Sequence, residues 1–275
     1  MFALLLAVLL LCYGSTLRAL VLDWWTDPDY SFGLMTPLAI AYLIYGRRRR
    51  LRQLALVPRP VAGYAVVAIS QLVFLAGYAA AEFFLQRTSI VLLLAGVVLC
   101  LAGSNWLKQM VLPLALLELS IPLPTVLMQS ISMPLQLVAS WSAEMLLRLM
   151  GFSVFRSGNV LQLPRQLLNV GQACSGLRSL SSMVALALLL LAFSRLKVAA
   201  QAIFVASAVV VAIVANAIRV AGTGVLSQYA GAAAIYGLWH TLEGWLVFVM
   251  AFLMLSAEHW YLQRLWCADP SEARV

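Results

Sequence analysis

Apolar residues in this chain run in blocks of roughly twenty, the length a helix needs to cross a hydrocarbon core. Polar residues gather between the blocks. About eight such blocks are present, at roughly 2–20, 32–46, 60–81, 89–106, 107–121, 176–194, 198–219 and 236–257. Basic residues assign the sides, because Lys and Arg concentrate in cytoplasmic loops. Arg47, Arg48, Arg49, Arg50 and Arg52 follow the second block. Lys108 lies between the fourth and fifth, and Arg195 with Lys197 separates the sixth from the seventh. These anchors agree with one another when residues 122–175 stay outside as a unit.

That outer stretch has a different pattern. Across 122–150, Gln129, Ser132, Gln136, Ser140, Ala143, Glu144 and Arg148 recur at helical spacing, a polar stripe on one face. Pro122, Pro124 and Pro134 interrupt the segment. The pattern predicts a helix lying in the outer interface, or lining a wet cavity, rather than a lipid-facing span. Next, short alternating runs flank Ser157-Gly158-Asn159 and predict a small hairpin. The hairpin either contributes a substrate edge or simply fixes the exit of the loop that follows. The expected fold is an all-α integral membrane protein, a single polytopic domain over 1–275. It has about eight transmembrane helices, an outer-face interfacial helix and a small hairpin before a cysteine loop.

Composition agrees. The chain is 64% hydrophobic and 10% charged, against about 25% charged in soluble domains. The net charge of +8 draws on five arginines in one short run beside an apolar block. It marks topology, with the lipid bilayer as partner, rather than nucleic-acid binding. Cys12 and Cys100 lie within apolar runs and behave as small hydrophobes. No CxxC or Cys/His spacing points to a metal, so neither metal nor cofactor is expected. The first block lacks a basic leader and a small-x-small cleavage site, so it reads as a retained span.

Cys174 is different, because turn chemistry surrounds it in Gly171-Gln172-Ala173-Cys174-Ser175-Gly176-Leu177-Arg178. The topology brings it to the outer face together with Arg219, expected to close the seventh block, and His240, expected to open the eighth. A thiolate at a helix N-terminus is stabilised by unpaired N–H groups and the helix dipole, and Ser175 is a plausible N-cap. His240 could take the thiol proton and return it to a leaving amine. Arg219, charged at any pH, could stabilise an oxyanion or orient the substrate. Asn216 shares a helical face with Arg219. Glu243 could orient the His240 ring or pair with Arg219. Arg178 stands in a first helical turn where the dipole disfavours a cation, so an anion is expected beside it: the thiolate, a substrate carboxylate or a headgroup phosphate. His259 lies 19 residues beyond His240, about 28 Å along one helix, and belongs to the opposite face.

The run Gln172-Ala173-Cys174-Ser175-Gly176-Leu177-Arg178-Ser179-Leu180, with Asn216-Ala217-Ile218-Arg219 and His240 followed by Gly244, resembles the exosortase/archaeosortase family of membrane cysteine transpeptidases. Trp25 through Asp29-Tyr30-Ser31-Phe32-Gly33, Ile121-Pro122-Leu123-Pro124, Pro134-Leu135-Gln136 and Gly158-Asn159 extend the likeness over most of the chain. Gln172, where such proteins often carry Glu, and Phe32, where His is common, depart from the pattern. The resemblance implies a catalytic Cys174, Arg219 and His240. It implies membrane-anchored substrate proteins with a C-terminal sorting tail of the PEP-CTERM type, cleaved at the outer, periplasmic face of a bacterial inner membrane. Transfer to an acceptor linked to exopolysaccharide production would follow. A polytopic transporter or exopolysaccharide-export subunit without peptidase activity is the competing reading.

Overall fold

The computed structural model describes residues 2–171, 177–191, 194, 196–231 and 238–266. Its α-helices are α1 (Phe2–Thr26), α2 (Thr36–Gln53), α3 (Pro60–Ala79), α4 (Phe83–Leu101), α5 (Ser104–Leu119), α6 (Thr125–Leu149), α7 (Leu177–Leu191), α8 (Val198–Ala230) and α9 (Leu238–Leu265). A 3-10 segment, Pro28–Met35, precedes α2, and three short strands lie between α6 and α7. The chain forms two compact units, Met1–Thr125 and Val126–Val275. Among the described residues, four helices are long and apolar enough to cross a membrane: Pro60–Ala79, Phe83–Leu101, Val198–Tyr229 and Gly244–Leu265.

In the first unit, α3 and α4 pack closely because the contact is made of small residues. A Cβ placed on Gly63 would stand 2.5 Å from the Cα of Cys100. α4 also meets α1 and α5 through polar side chains. Arg87 pairs with Asp23 at 2.6 Å, and the Thr88 hydroxyl donates to Glu118 at 2.8 Å. Trp24 Nε1 donates to the Ser120 carbonyl at 2.7 Å. The sequence pattern predicts the second apolar block as a span from residue 32 with an arginine loop after it. Instead Asp27 accepts from the Asp29 N–H and, with Pro28, starts a 3-10 segment. The α-helix begins only at Thr36, and the arginine run forms its last turns. Arg47 donates from there to the Gln109 carbonyl on α5.

In the second unit, α6 runs unbroken through Pro134. The middle of its polar stripe faces protein rather than a wet cavity: Ser132, Gln136, Ser140 and Ala143 are all buried. What occupies that face is the hairpin. β1 (Phe155–Ser157) pairs with β2 (Val160–Gln162) in the expected place. Gly158, with φ +61°, takes the first turn position, where a II′-type loop needs a positive φ. A third strand that the sequence pattern did not reveal, β3 (Leu167–Asn169), adds antiparallel to β2. The α6 residues answer the turn one helical step at a time. Gln136 accepts from Asn159, Ser140 donates to the Gly158 carbonyl and Glu144 pairs with Arg156 at 2.8 Å. Apolar residues cover the opposite face of α6, with Leu127, Val138, Trp141, Met145 and Leu149 all exposed.

Helices α7, α8 and α9 pack on one another around Met183, Ala187, Phe204, Ala208, Ala212, Ala215, Val247, Ala251 and Leu255. Arg219 was expected to end the seventh block, but α8 continues for three more turns to Ala230. The extension persists because Val220 and Ala221 are buried in a second core with Ala139, Ala143 and Leu147 of α6 and Leu161, Leu163, Leu168 and Val170 of the sheet region. Arg165 adds a polar tie, donating to the Gln228 carbonyl at 2.8 Å. Gly231, with φ +63°, then stops the helix.

Candidate active site

Contacts along α8 and α9 set their register. Phe204 meets His259, with ring centroids 5.3 Å apart. The Ser207 hydroxyl donates to Glu258 at 2.8 Å. The Arg219 guanidinium stands beside Gly244, where a Cβ would lie 3.7 Å from Nη2 and 3.8 Å from Cζ. Each step up α8 is therefore a step back along α9, and the helices are antiparallel. His240 is four residues before Gly244, one turn away on the same face of α9. By the same register it falls level with Thr223. The structure thus brings the Arg219 side chain to the helix face on which His240 stands.

His259 is at the other end of the bundle, as the spacing predicted. Its partner Phe204 is 15 residues from Arg219 along α8, about 22 Å.

Cys174 and Ser175 lie outside the described residues, as does Gln172, but the chain on either side is held. Val170 is fully buried in the core that contains Val220 and Ala221, immediately after Arg219 in α8. Val170 thus anchors the described chain beside the Arg219 level of α8. On the far side, α7 begins at Leu177, three residues after Cys174. Six residues connect α7 to α8, so α7 runs antiparallel to its neighbour and its first turn opens toward the same end of the bundle. That end is the electropositive end of the α7 dipole, which favours an anion.

Asn216 is buried on α8 at 3% exposure, one turn before the half-buried Arg219. Arg178 is the second residue of α7, in the first turn as expected. Glu243 adjoins Gly244 on α9. Two residues in this arrangement escaped sequence reasoning. Gly244 appeared only as part of a motif, yet its missing side chain is the space the guanidinium lies against. Thr223, 1% exposed, donates its hydroxyl to the Arg219 carbonyl at 3.1 Å; its spacing of four from Arg219 was the available signal.

The family model of the transmembrane exosortases matches residues 24–257. The chain therefore belongs to the transmembrane exosortase family, and it is a multi-pass membrane protein of the protease/transpeptidase class. No curated protein and no solved structure matches it significantly.

Proposed function

We propose that the protein is a cysteine transpeptidase that cleaves the C-terminal sorting tail of exported, membrane-anchored proteins and transfers them to an acceptor. The observation that carries this reading is the Arg219 guanidinium lying against Gly244, one turn from His240, with the chain leading to Cys174 anchored beside Val220. In the proposed reaction the Cys174 thiol gives its proton to His240, and the sulfur attacks the scissile carbonyl. Arg219 stabilises the oxyanion or orients the substrate. His240 returns the proton to the departing amine, which leaves a thioester. An acceptor nucleophile then attacks the thioester and regenerates the thiol. Asn216 supports Arg219, Ser175 caps α7, Glu243 orients His240, and Arg178 supplies a second cation for a substrate carboxylate.

The site faces outward in this reading, to the periplasmic side of a bacterial inner membrane. On the expected topology α1–α5 and α7–α9 supply eight crossings, of which Pro60–Ala79, Phe83–Leu101, Val198–Tyr229 and Gly244–Leu265 are long and apolar enough to span by themselves, and α6 does not cross. Two features of α6 support this. Its inner face carries a sheet whose edge groups require water or protein partners and are not tolerated in hydrocarbon. Its outer face is a stripe of exposed apolar residues suited to lying along the lipid surface.

The test is a Cys174→Ala variant in membranes that contain a sorting-tail substrate. The substrate should remain full length, and normal trimming would end the cysteine reading. A membrane-impermeant thiol reagent applied to intact cells should reach Cys174; labelling only after the cytoplasmic side is opened would overturn the topology.

A further inference from the structure

Resting on that reading, we infer that Asn159 is a positioning residue that aligns the cysteine loop with the Arg219 end of α8. Its side-chain amide donates twice, to Gln136 Oε1 at 2.8 Å and to the Val170 carbonyl at 3.2 Å. Its own carbonyl accepts from the Val170 N–H at 2.9 Å. A backbone carbonyl can only accept, so Val170 alone dictates which way the Asn159 amide points. One residue in the hairpin turn thus holds both main-chain polar groups of Val170, and grips α6 at the same time.

Val170 is the last residue before the cysteine loop that is locked on every side. Its side chain is fully buried with Val220 and Ala221, and both its backbone groups are held by Asn159. After it, the Gly171 N–H donates to the Asn169 carbonyl and ends the strand geometry. Cys174 follows Val170 by four residues, so Val170 sets the point from which the cysteine loop departs. The Gln136 arm is also secure, because Gln136 is 5% exposed and its amide has little freedom to leave. Asn159 therefore couples three elements: α6 through Gln136, the sheet through its own backbone, and the chain into the nucleophile through Val170.

Two substitutions separate the arms. In Asn159→Asp, Gln136 can turn its amide and donate to the new carboxylate, so the α6 grip survives. The carboxylate then faces the Val170 carbonyl, acceptor against acceptor, and that arm is lost. In Gln136→Glu the acceptor for Asn159 is kept, and both arms persist. The full-length chain is used in detergent, with Cys12, Cys100 and Cys267 changed to alanine so that Cys174 is the reporting thiol. Two quantities are read: kcat and KM for tail cleavage, and the pH midpoint of alkylation by a water-soluble maleimide.

In Asn159→Asp, kcat should fall about 10- to 100-fold with KM nearly unchanged, the scale of an ångström-sized misalignment. The alkylation midpoint should rise toward the ordinary thiol value of about 8.5. Gln136→Glu should match the parent in both. An unchanged midpoint in folded Asn159→Asp overturns the inference, even if less protein accumulates; because an unfolded thiol also titrates near about 8.5, the midpoint is read only on the monodisperse fraction that melts like the parent. If Cys174→Ala still trims the tail, the function is wrong, while the alkylation midpoint still judges the role of Asn159.

Discussion

Gly244 offers a graded test of whether the Arg219 guanidinium works where it lies. A Cβ at this position would sit 3.7 Å from Nη2, 3.8 Å from Cζ and 3.9 Å from Nε, which is ordinary van der Waals contact. Gly244→Ala should therefore leave the guanidinium in place. Replacing a helix-interior glycine should add about 0.5–1 kcal/mol of stability. Gly244→Leu adds three further carbons, which reach two bonds of about 1.5 Å each beyond Cβ before the branch ends. Its branch then occupies the space of the guanidinium, and Arg219 must move by more than an ångström. Displacement on that scale costs about 100-fold in rate. The assay is tail cleavage by purified variants in detergent, with melting temperature measured alongside. Gly46→Leu, where nothing lies within 4 Å of a Cβ, controls for adding bulk to a helix. Full activity in the Gly244→Leu variant, or a Gly244→Ala variant that melts well below the parent, would refute the reasoning.

Three other outcomes follow from the first unit. Gly103 has φ +85°, and its Cβ would overlap the Val57 carbonyl, so Gly103→Ala should destabilise by more than about 2 kcal/mol, read as lost thermal stability. Asp23→Ala leaves the buried Arg87 without its carboxylate and should destabilise more than the double change with Arg87→Met, which a double-mutant cycle measures. Burial holds the Tyr30 phenol above its usual pKa, while the N–H bond from Leu123 and two nearby aspartates make smaller contributions. The folded state keeps this proton to higher pH than the unfolded state, so stability should fall as pH rises past about 10. Tyr30→Phe should flatten that alkaline decline in a pH series of melting curves.

The block pattern located most helices because each apolar run is long. The starts of α8 after Lys197 and α9 just before His240 were readable from charge and polarity alone. The end of α8 was not. Residues 220–230 are small and moderately polar, and they stay helical because α6 and the sheet cover them, a tertiary effect invisible to periodicity. β3 was missed for a similar reason: three residues after Pro164 and Arg165 carry no alternation of their own and form a strand only by pairing. The polar stripe on α6 was legible, but its direction was not, because a stripe facing water and a stripe facing hydrogen-bonding partners look alike in sequence. The Ser157-Gly158-Asn159 turn supplied those partners. At the site, Arg219 and His240 were legible by residue type, whereas the role of Gly244 depends on what approaches it.

At 33 residues, α8 is about 50 Å long, well beyond the roughly 30 Å of hydrocarbon. Arg219 lies 21 residues above its first residue, about 32 Å, close to one bilayer thickness. On the proposed topology this helix acts as a ruler. It places the reactive level where a substrate's own membrane anchor emerges from lipid, and the extra turns hold the outer cap above that level. The enzyme would then select the cleaved bond by height as well as by chemistry. A substrate anchor lengthened by one helical turn would carry its scissile bond past the arginine with every recognition residue intact.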